Sequence, residues 1–186
     1  MIMLWAIPAG ILGGLALGGR LANLSSLKFR WGWLAVAGLL VQVVLFTPTG
    51  ETLAGSAGPA IYILSTLVVF AAVLRNVRLP GMPLVLLGAA SNLLAIAANG
   101  GYMPADPTAM EIAGLPPGDH ANSVVLADPA LRPLTDIFAL PAWLPMANVF
   151  SIGDVLIAVG IVWAIAATMR RPVMDEAAAP AAEAQA

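Results

Sequence analysis

Residues 145–160 read PMANVFSIGDVLIAVG. A proline-containing polar region ends here and the last apolar run of the chain begins, with one carboxylate, Asp154, at the changeover. Ser151-Ile-Gly-Asp154 fits the S-x-x-[DE] pattern that opens a helix: a hydroxyl caps the first turn and an acid three residues on reaches back to the cap amide. The acid would also sit at the positive end of the helix dipole. The run then continues to Met169 without another charge. Ser151–Met169 is therefore close to the ~20 residues that cross ~30 Å of hydrocarbon, and that reading decides the fold.

Four more segments have the same character: Ile2–Gly19, Trp31–Thr47, Gly58–Leu74 and Gly81–Ala98. Each is 17 or 18 residues long and uncharged. None alternates polar and apolar residues as a barrel strand would, so helix is the way left to satisfy the backbone in lipid. Composition agrees. The 186 residues are 60% hydrophobic and 10% charged, with mean hydropathy +0.92, against about 25% charged in soluble domains. The first segment has no basic stretch before it and does not read as a cleaved signal.

Charge placement sets the orientation. Seven of eight basic residues (Arg20, Lys28, Arg30, Arg75, Arg78, Arg170 and Arg171) fall in the first and third connections or just after the last segment. If every segment spans, these share one side, and only Arg132 lies on the other. The positive-inside rule then places the N-terminus outside and the C-terminus in the cytoplasm of a bacterial plasma membrane. Trp31 and Trp33 suit the headgroup belt.

Asn99–Phe150, on the outer side, is too long for a plain connector. Its prolines rule out long helices. Ala-Asp-Pro occurs at 105–107 and 127–129, each an N-cap Asp followed by Pro at the first helical position, so two or three short helices are expected. Leu134–Leu144 is apolar and suits the membrane surface. The fold class is thus all-α: a polytopic membrane protein with five transmembrane helices and an outer loop of short helices. Residues 1–171 form the membrane domain, with loop 99–150 inserted before the last helix. Residues 172–186, rich in Ala, Pro and Glu, form a disordered cytoplasmic tail.

Several chemistries find no footing. The chain has no Cys, so disulfides and thiolate metal sites are excluded. His120 is the sole histidine and reads as a solvated loop residue rather than a metal ligand. No phosphate-binding loop or dinucleotide fingerprint is present, and no basic tract points to nucleic acid. Nothing calls for a cofactor. Gly10, Gly14 and Gly18 form a smooth strip at four-residue spacing, suited to helix packing or to a homo-oligomer or membrane-protein partner. Pro8 should kink or shorten the first helix. Gln42, Ser65, Thr66, Ser91 and Asn92 are polar groups within the spans; interhelical hydrogen bonds are the plain reading and a solute pathway the sharper one.

Two acids remain as catalytic candidates, Asp136 and Asp154. Two carboxyls held close cannot both ionise easily, so one keeps its proton while the other activates water. Asp136–Gly160 resembles the C-terminal region of bacterial lipoprotein signal peptidases, whose final helix begins Asn-x-x-Asp with Ile and Gly at +3 and +6. Asp154, Ile157 and Gly160 keep that spacing, and Asp136-Ile-Phe resembles the upstream Asp-Phe-Ile. Asn148 lies six residues before Asp154 instead of three, and the first segment lacks the charges those enzymes carry. That resemblance implies an intramembrane aspartyl hydrolase.

A broader resemblance covers nearly the whole membrane part: the Gly-rich first helix, Leu21–Leu24 with Leu27–Phe29, Asn99-Gly-Gly-Tyr-Met-Pro104, and Val149–Gly160. Together these resemble a DUF5317-like family of bacterial polytopic membrane proteins of unknown function. It implies a plasma-membrane location and no activity. Three functions stand open: a binding, accessory or structural component working through its outer loop, the aspartyl hydrolase, and a small-solute transporter.

Overall fold

The computed structural model describes residues 2–116 and 123–171. The tail at 172–186 and His120 lie outside the described residues. The chain is mostly helical. Its helices are α1 (Ile2–Ala16), α2 (Gly32–Leu45), α3 (Pro48–Ala54), α4 (Gly58–Arg75), α5 (Met82–Ala98), α6 (Pro107–Ile112) and α7 (Ile152–Met169). Five of them, α1, α2, α4, α5 and α7, occupy the five apolar segments.

Two helical stretches, Pro48–Arg75 and Ile152–Met169, are long and apolar enough to cross a membrane; α1, α2 and α5 are apolar but shorter. The lengths have local causes. α1 stops because Gly18 takes φ +78°, and the Gly19 amide closes the turn on the Gly14 carbonyl at 2.8 Å. α2 starts only after Trp31. Pro8 lies inside α1 without ending it, although it offers no N–H to the Leu4 carbonyl. α3 fills what the sequence reads as a connection: Thr47 caps it by accepting from the Gly50 amide at 3.0 Å, with Pro48 at its first position.

Side by side the long helices run α1, α7, α5, α4, α2, so the last helix sits between the first and α5. Glycines make these approaches close. Gly10 lies against Ile165 and Gly14 against Met169, which sets α1 parallel to α7. The strip read from the sequence thus has a partner within the chain at two of its three glycines; the third, Gly18, lies beyond the helix and forms its stop. α5 and α7 run antiparallel, with Gly81 against Gly160 and Gly88 against Gly153, where any Cβ would strike a carbonyl of the facing helix. Away from these seams Val36, Val43 and Val44 on α2 and Leu64 on α4 are 57–65% exposed.

The region after α5 corrects the all-helical expectation, for it carries small sheets. β1 (Met103–Pro104) pairs in parallel with β2 (Ser123–Val124), and β3 (Phe138–Leu140) pairs antiparallel with β4 (Asn148–Phe150). Only the first Ala-Asp-Pro opens an α-helix: Asp106 accepts from the Thr108 and Ala109 amides at the start of α6. Around the second, the chain turns and makes only a short 3-10 turn at Arg132–Leu134. Part of the apolar Leu134–Leu144 stretch becomes β3, because closely spaced prolines deny it helical amides while strand pairing satisfies its backbone. This region forms a cap on one end of the bundle. Asn99 at the end of α5 ties it down, donating to the Ala130 carbonyl and accepting from the Ala130 amide, both at 2.9 Å. Beneath the cap lies a core of Leu45, Tyr62, Ala95, Ile96 and Met103.

Candidate functional site

The capped end of α7 is built as its sequence requires. Ser151 is fully buried. Its Oγ accepts from the Asp154 amide at 3.0 Å, and Asp154 Oδ2 accepts from the Ser151 amide at 3.3 Å, closing the capping box. α5 adds the group that spacing alone does not reveal. Asn92 Nδ2 donates to Asp154 Oδ1 at 2.7 Å, and Asn92 Oδ1 accepts from Ser151 Oγ at 2.8 Å. One amide thus bridges both members of the box. Gly153 makes this possible, since a side chain there would occupy the place of the Asn92 amide. In the sequence the seven-residue intervals Gly81–Gly88 and Gly153–Gly160 were the available sign that these two helices meet.

Asp136 lies in the cap, near enough to this cluster to feel the charge of Asp154. Its backbone is held on both sides: its amide donates to the Pro104 carbonyl, and its carbonyl accepts from the Asp106 amide, each at 2.9 Å. The preceding 3-10 turn packs against both α5 and α7. The side chain is 6% exposed, and its Oδ1 has no hydrogen-bond partner among the described residues. Burial pushes the Asp136 carboxyl up to about 7, and the nearby negative charge of Asp154 pushes the same way. The two acids singled out from the sequence are therefore near enough for the charge of one to act on the other, and the Asp136 carboxyl gains and loses its proton near neutral pH.

Asp154 is heavily committed. Both its oxygens accept hydrogen bonds, from Asn92 and from Ser151, and these bonds hold the helix start and the α5–α7 seam. The remaining polar groups of the apolar helices bond as helix-packing groups do: Gln42 donates to Thr66 at 3.2 Å, and Ser65 to the Tyr62 carbonyl at 2.8 Å. Ser91 Oγ is buried without a partner among the described residues.

The cap also carries a groove of about 390 Å³, lined by Thr108, Ala109, Ile112, Pro133 and Ile137 and edged by the Asp106–Arg132 ion pair. The pair is 3.0 Å long. Its Arg132 hydrogen bond, with the Ala109 and Thr108 amides, holds Asp106 below the usual carboxylate range against the opposing effect of burial. Ile137 in this groove directly follows Asp136, so one extended segment touches both places. Among the described residues no three His, Asp or Glu side chains gather as a metal site would need.

No curated protein and no solved structure matches the chain. The model of a family of unknown function, DUF5317, matches residues 26–166. That span, about three-quarters of the sequence, takes in Asn92, Asp136, Ser151, Asp154 and the whole cap, and on it the chain belongs to DUF5317.

Proposed function

We propose that the chain is a five-span membrane protein of the bacterial plasma membrane, working as a binding or accessory component through its cap. The cap faces outward and the basic end of the bundle faces the cytoplasm. The observation that carries this reading is the cap itself: a structured region, tied to α5 by Asn99, that holds a mostly apolar groove with an ion pair at its edge. The alternating helix directions and the gathering of basic residues at one end support the orientation. A homo-oligomer using Gly10 and Gly14 would have to displace α7 from them.

Because the chain lacks Cys, single cysteines test the topology cleanly. A cysteine at Ser56 should react with an impermeant maleimide on intact cells, and one at Ser25 should react only after lysis. The reverse pattern would sink the orientation. For the cap, a photo-crosslinking residue at Ile112 should give a discrete adduct that weakens when Arg132 is replaced by Ala. An adduct pattern identical to that from lipid-facing Leu64 would count against a cap-borne partner.

The hydrolase is the second reading, and one observation favours it: a buried acid whose carboxyl is raised to about 7 lies within reach of the charge of a second carboxylate. In that scheme protonated Asp136 would polarise the scissile carbonyl and Asp154 would take a proton from the attacking water. The hydrogen bonds on both Asp154 oxygens and the burial of Asp136 weigh toward a structural role. Asp154→Asn separates the two readings. It should abolish a hydrolase outright, whereas a cap-borne binding function should survive as far as the fold does. A transporter would instead lose function on substitution of Gln42 or Asn92, both of which are occupied by hydrogen bonds.

A further inference from the structure

The end of the bundle opposite the cap holds a cavity of about 600 Å³ at the start of α2 and the end of α4. Lys28, Arg30, Arg75 and Arg78 line it, with Trp31 and Asn76. All four cations are exposed, no acid is among the lining residues, and none of the four has an ion-pair partner among the described residues.

The site is held in shape rather than gathered loosely. Asn76 is 4% exposed. Its Oδ1 accepts from the Arg30 amide at 2.8 Å, and its Nδ2 donates to the Arg30 carbonyl at 2.6 Å and the Ala72 carbonyl at 2.7 Å. One buried amide therefore locks the Lys28–Arg30 loop to the end of α4. Trp31 is held at φ 59°, ψ 26°, a left-handed conformation that costs a non-glycine residue energy and calls for a reason. The Arg75 guanidinium lies 6.0 Å from the centre of the Trp31 ring. α2 opens at this point with no side-chain cap, which leaves amides of its first turn available to an anion.

We propose that this cavity binds the phosphodiester of an anionic phospholipid. Unpaired cations, an uncapped helix start and a tryptophan at the rim are complementary to a phosphate group. The choice of a lipid over free phosphate rests on the apolar flank of α2, where Trp33, Val36 and Val43 stand exposed and would lie along acyl chains. Basic pockets between helices on the cytoplasmic side hold such headgroups. The lipid source rests on the membrane reading above; the phosphate chemistry does not.

The test uses the full chain in nanodiscs of phosphatidylglycerol or phosphatidylcholine, with retained lipid counted by native mass spectrometry. Wild type should prefer phosphatidylglycerol roughly tenfold. Arg75→Gln with Arg78→Gln should bring this to parity. Arg170→Gln with Arg171→Gln removes the same charge from the same end and should leave the preference standing. Equal loss in both double variants, or no preference in wild type, overturns the proposal. In a parallel arm, inorganic phosphate that raises the wild-type Tm as much as phosphatidylglycerol does, with the rise lost in the Arg75/Arg78 variant, overturns the lipid source and leaves a free-anion site. A chain recovered from cells without detergent fails the membrane reading, while the phosphate arm still reports on the cavity.

Discussion

The two ends of the bundle solve the same problem in different ways. Both must satisfy polar groups where apolar helices stop. At the basic end, amide side chains bond backbone carbonyls and the charges stay at the surface. Asn23 donates to the Met169 and Arg171 carbonyls at 2.7 and 2.6 Å, and Asn76 does the equivalent at the end of α4. At the capped end Asn99 likewise bonds the Ala95 carbonyl, but side chains also bond one another between α5 and α7, and a buried acid lies in the cap above them. The first arrangement is neutral and insensitive to pH. The second places a titratable group under a cap that covers it. The contrast implies that stability lost at the basic end should be a fixed quantity, and at the capped end a function of pH.

The largest break should come from the seam that supports the capped end. Gly153→Val puts a branched side chain where the Asn92 amide and the Gly88 backbone stand. It overpacks the α5–α7 contact and strips Asp154 of its Asn92 bond together, for a loss of roughly 3 kcal/mol or more. Gly13→Val, with nothing near the glycine, is the matched control in α1 and should cost well under half as much. Thermal unfolding in detergent reads both. Similar Tm losses for the two would mean that the seam is not as tight as described.

Asn76→Ala is next. It leaves the Arg30 amide and two carbonyls without their partner, and should cost about 2 kcal/mol, the same at pH 5 and pH 8. A pH-dependent loss there would erase the distinction between the two ends.

Asp136→Asn should do the opposite. Its carboxyl is raised from 3.8 to about 7 in the fold, so the folded chain holds a proton that the unfolded chain releases. Stability is then highest below about pH 4, falls as pH climbs toward 7, and has lost the whole contribution above that. The amide cannot ionise, so the variant should be more stable than wild type at pH 8, by ~2–4 kcal/mol at the ceiling set by the shift, and should converge with it only below about pH 4. A variant less stable than wild type at pH 8 would mean that attraction to a positive charge outweighs burial at Asp136.

Legibility in the sequence followed the range of the interactions. Helix starts are local, so Ser151–Asp154 and Asp106-Pro107 could be read directly: each cap needs only residues within one turn. The apolar runs set the helices to within a few residues for the same reason. α3 was missed because Thr47-Pro48 is a short helix start with no apolar run behind it. The strands of the cap were missed because β1 and β2 draw on partners some twenty residues apart, a pairing that alternation cannot signal in two-residue pieces. For the carboxyl pair, the acids were visible and their meeting was not. It depends on a bridge between Ala105 and Asp136 and on α7 lying beside α5 rather than only α1. Asn92 was visible as a polar residue in an apolar segment, but its partner sixty-two positions away was not.

Gln42 gives the smallest effect and bounds the comparison from the middle of the bundle. Its amide donates to Thr66 across α2 and α4 at 3.2 Å, and the Thr66 hydroxyl independently donates to the Tyr62 carbonyl at 2.8 Å. Gln42→Leu therefore leaves Thr66 with a partner. It also removes a polar group from a helix whose neighbouring Val43 and Val44 stand exposed. Hydrogen bonds between membrane helices average about 0.6 kcal/mol, and the leucine recovers part of that through apolar contact. The expected change in stability is below ~1 kcal/mol, in either direction, at any pH. A loss as large as that of Asn76→Ala would show that the bundle is held by polar contacts along its length. In that case its two ends would not be the places where polar groups decide its stability.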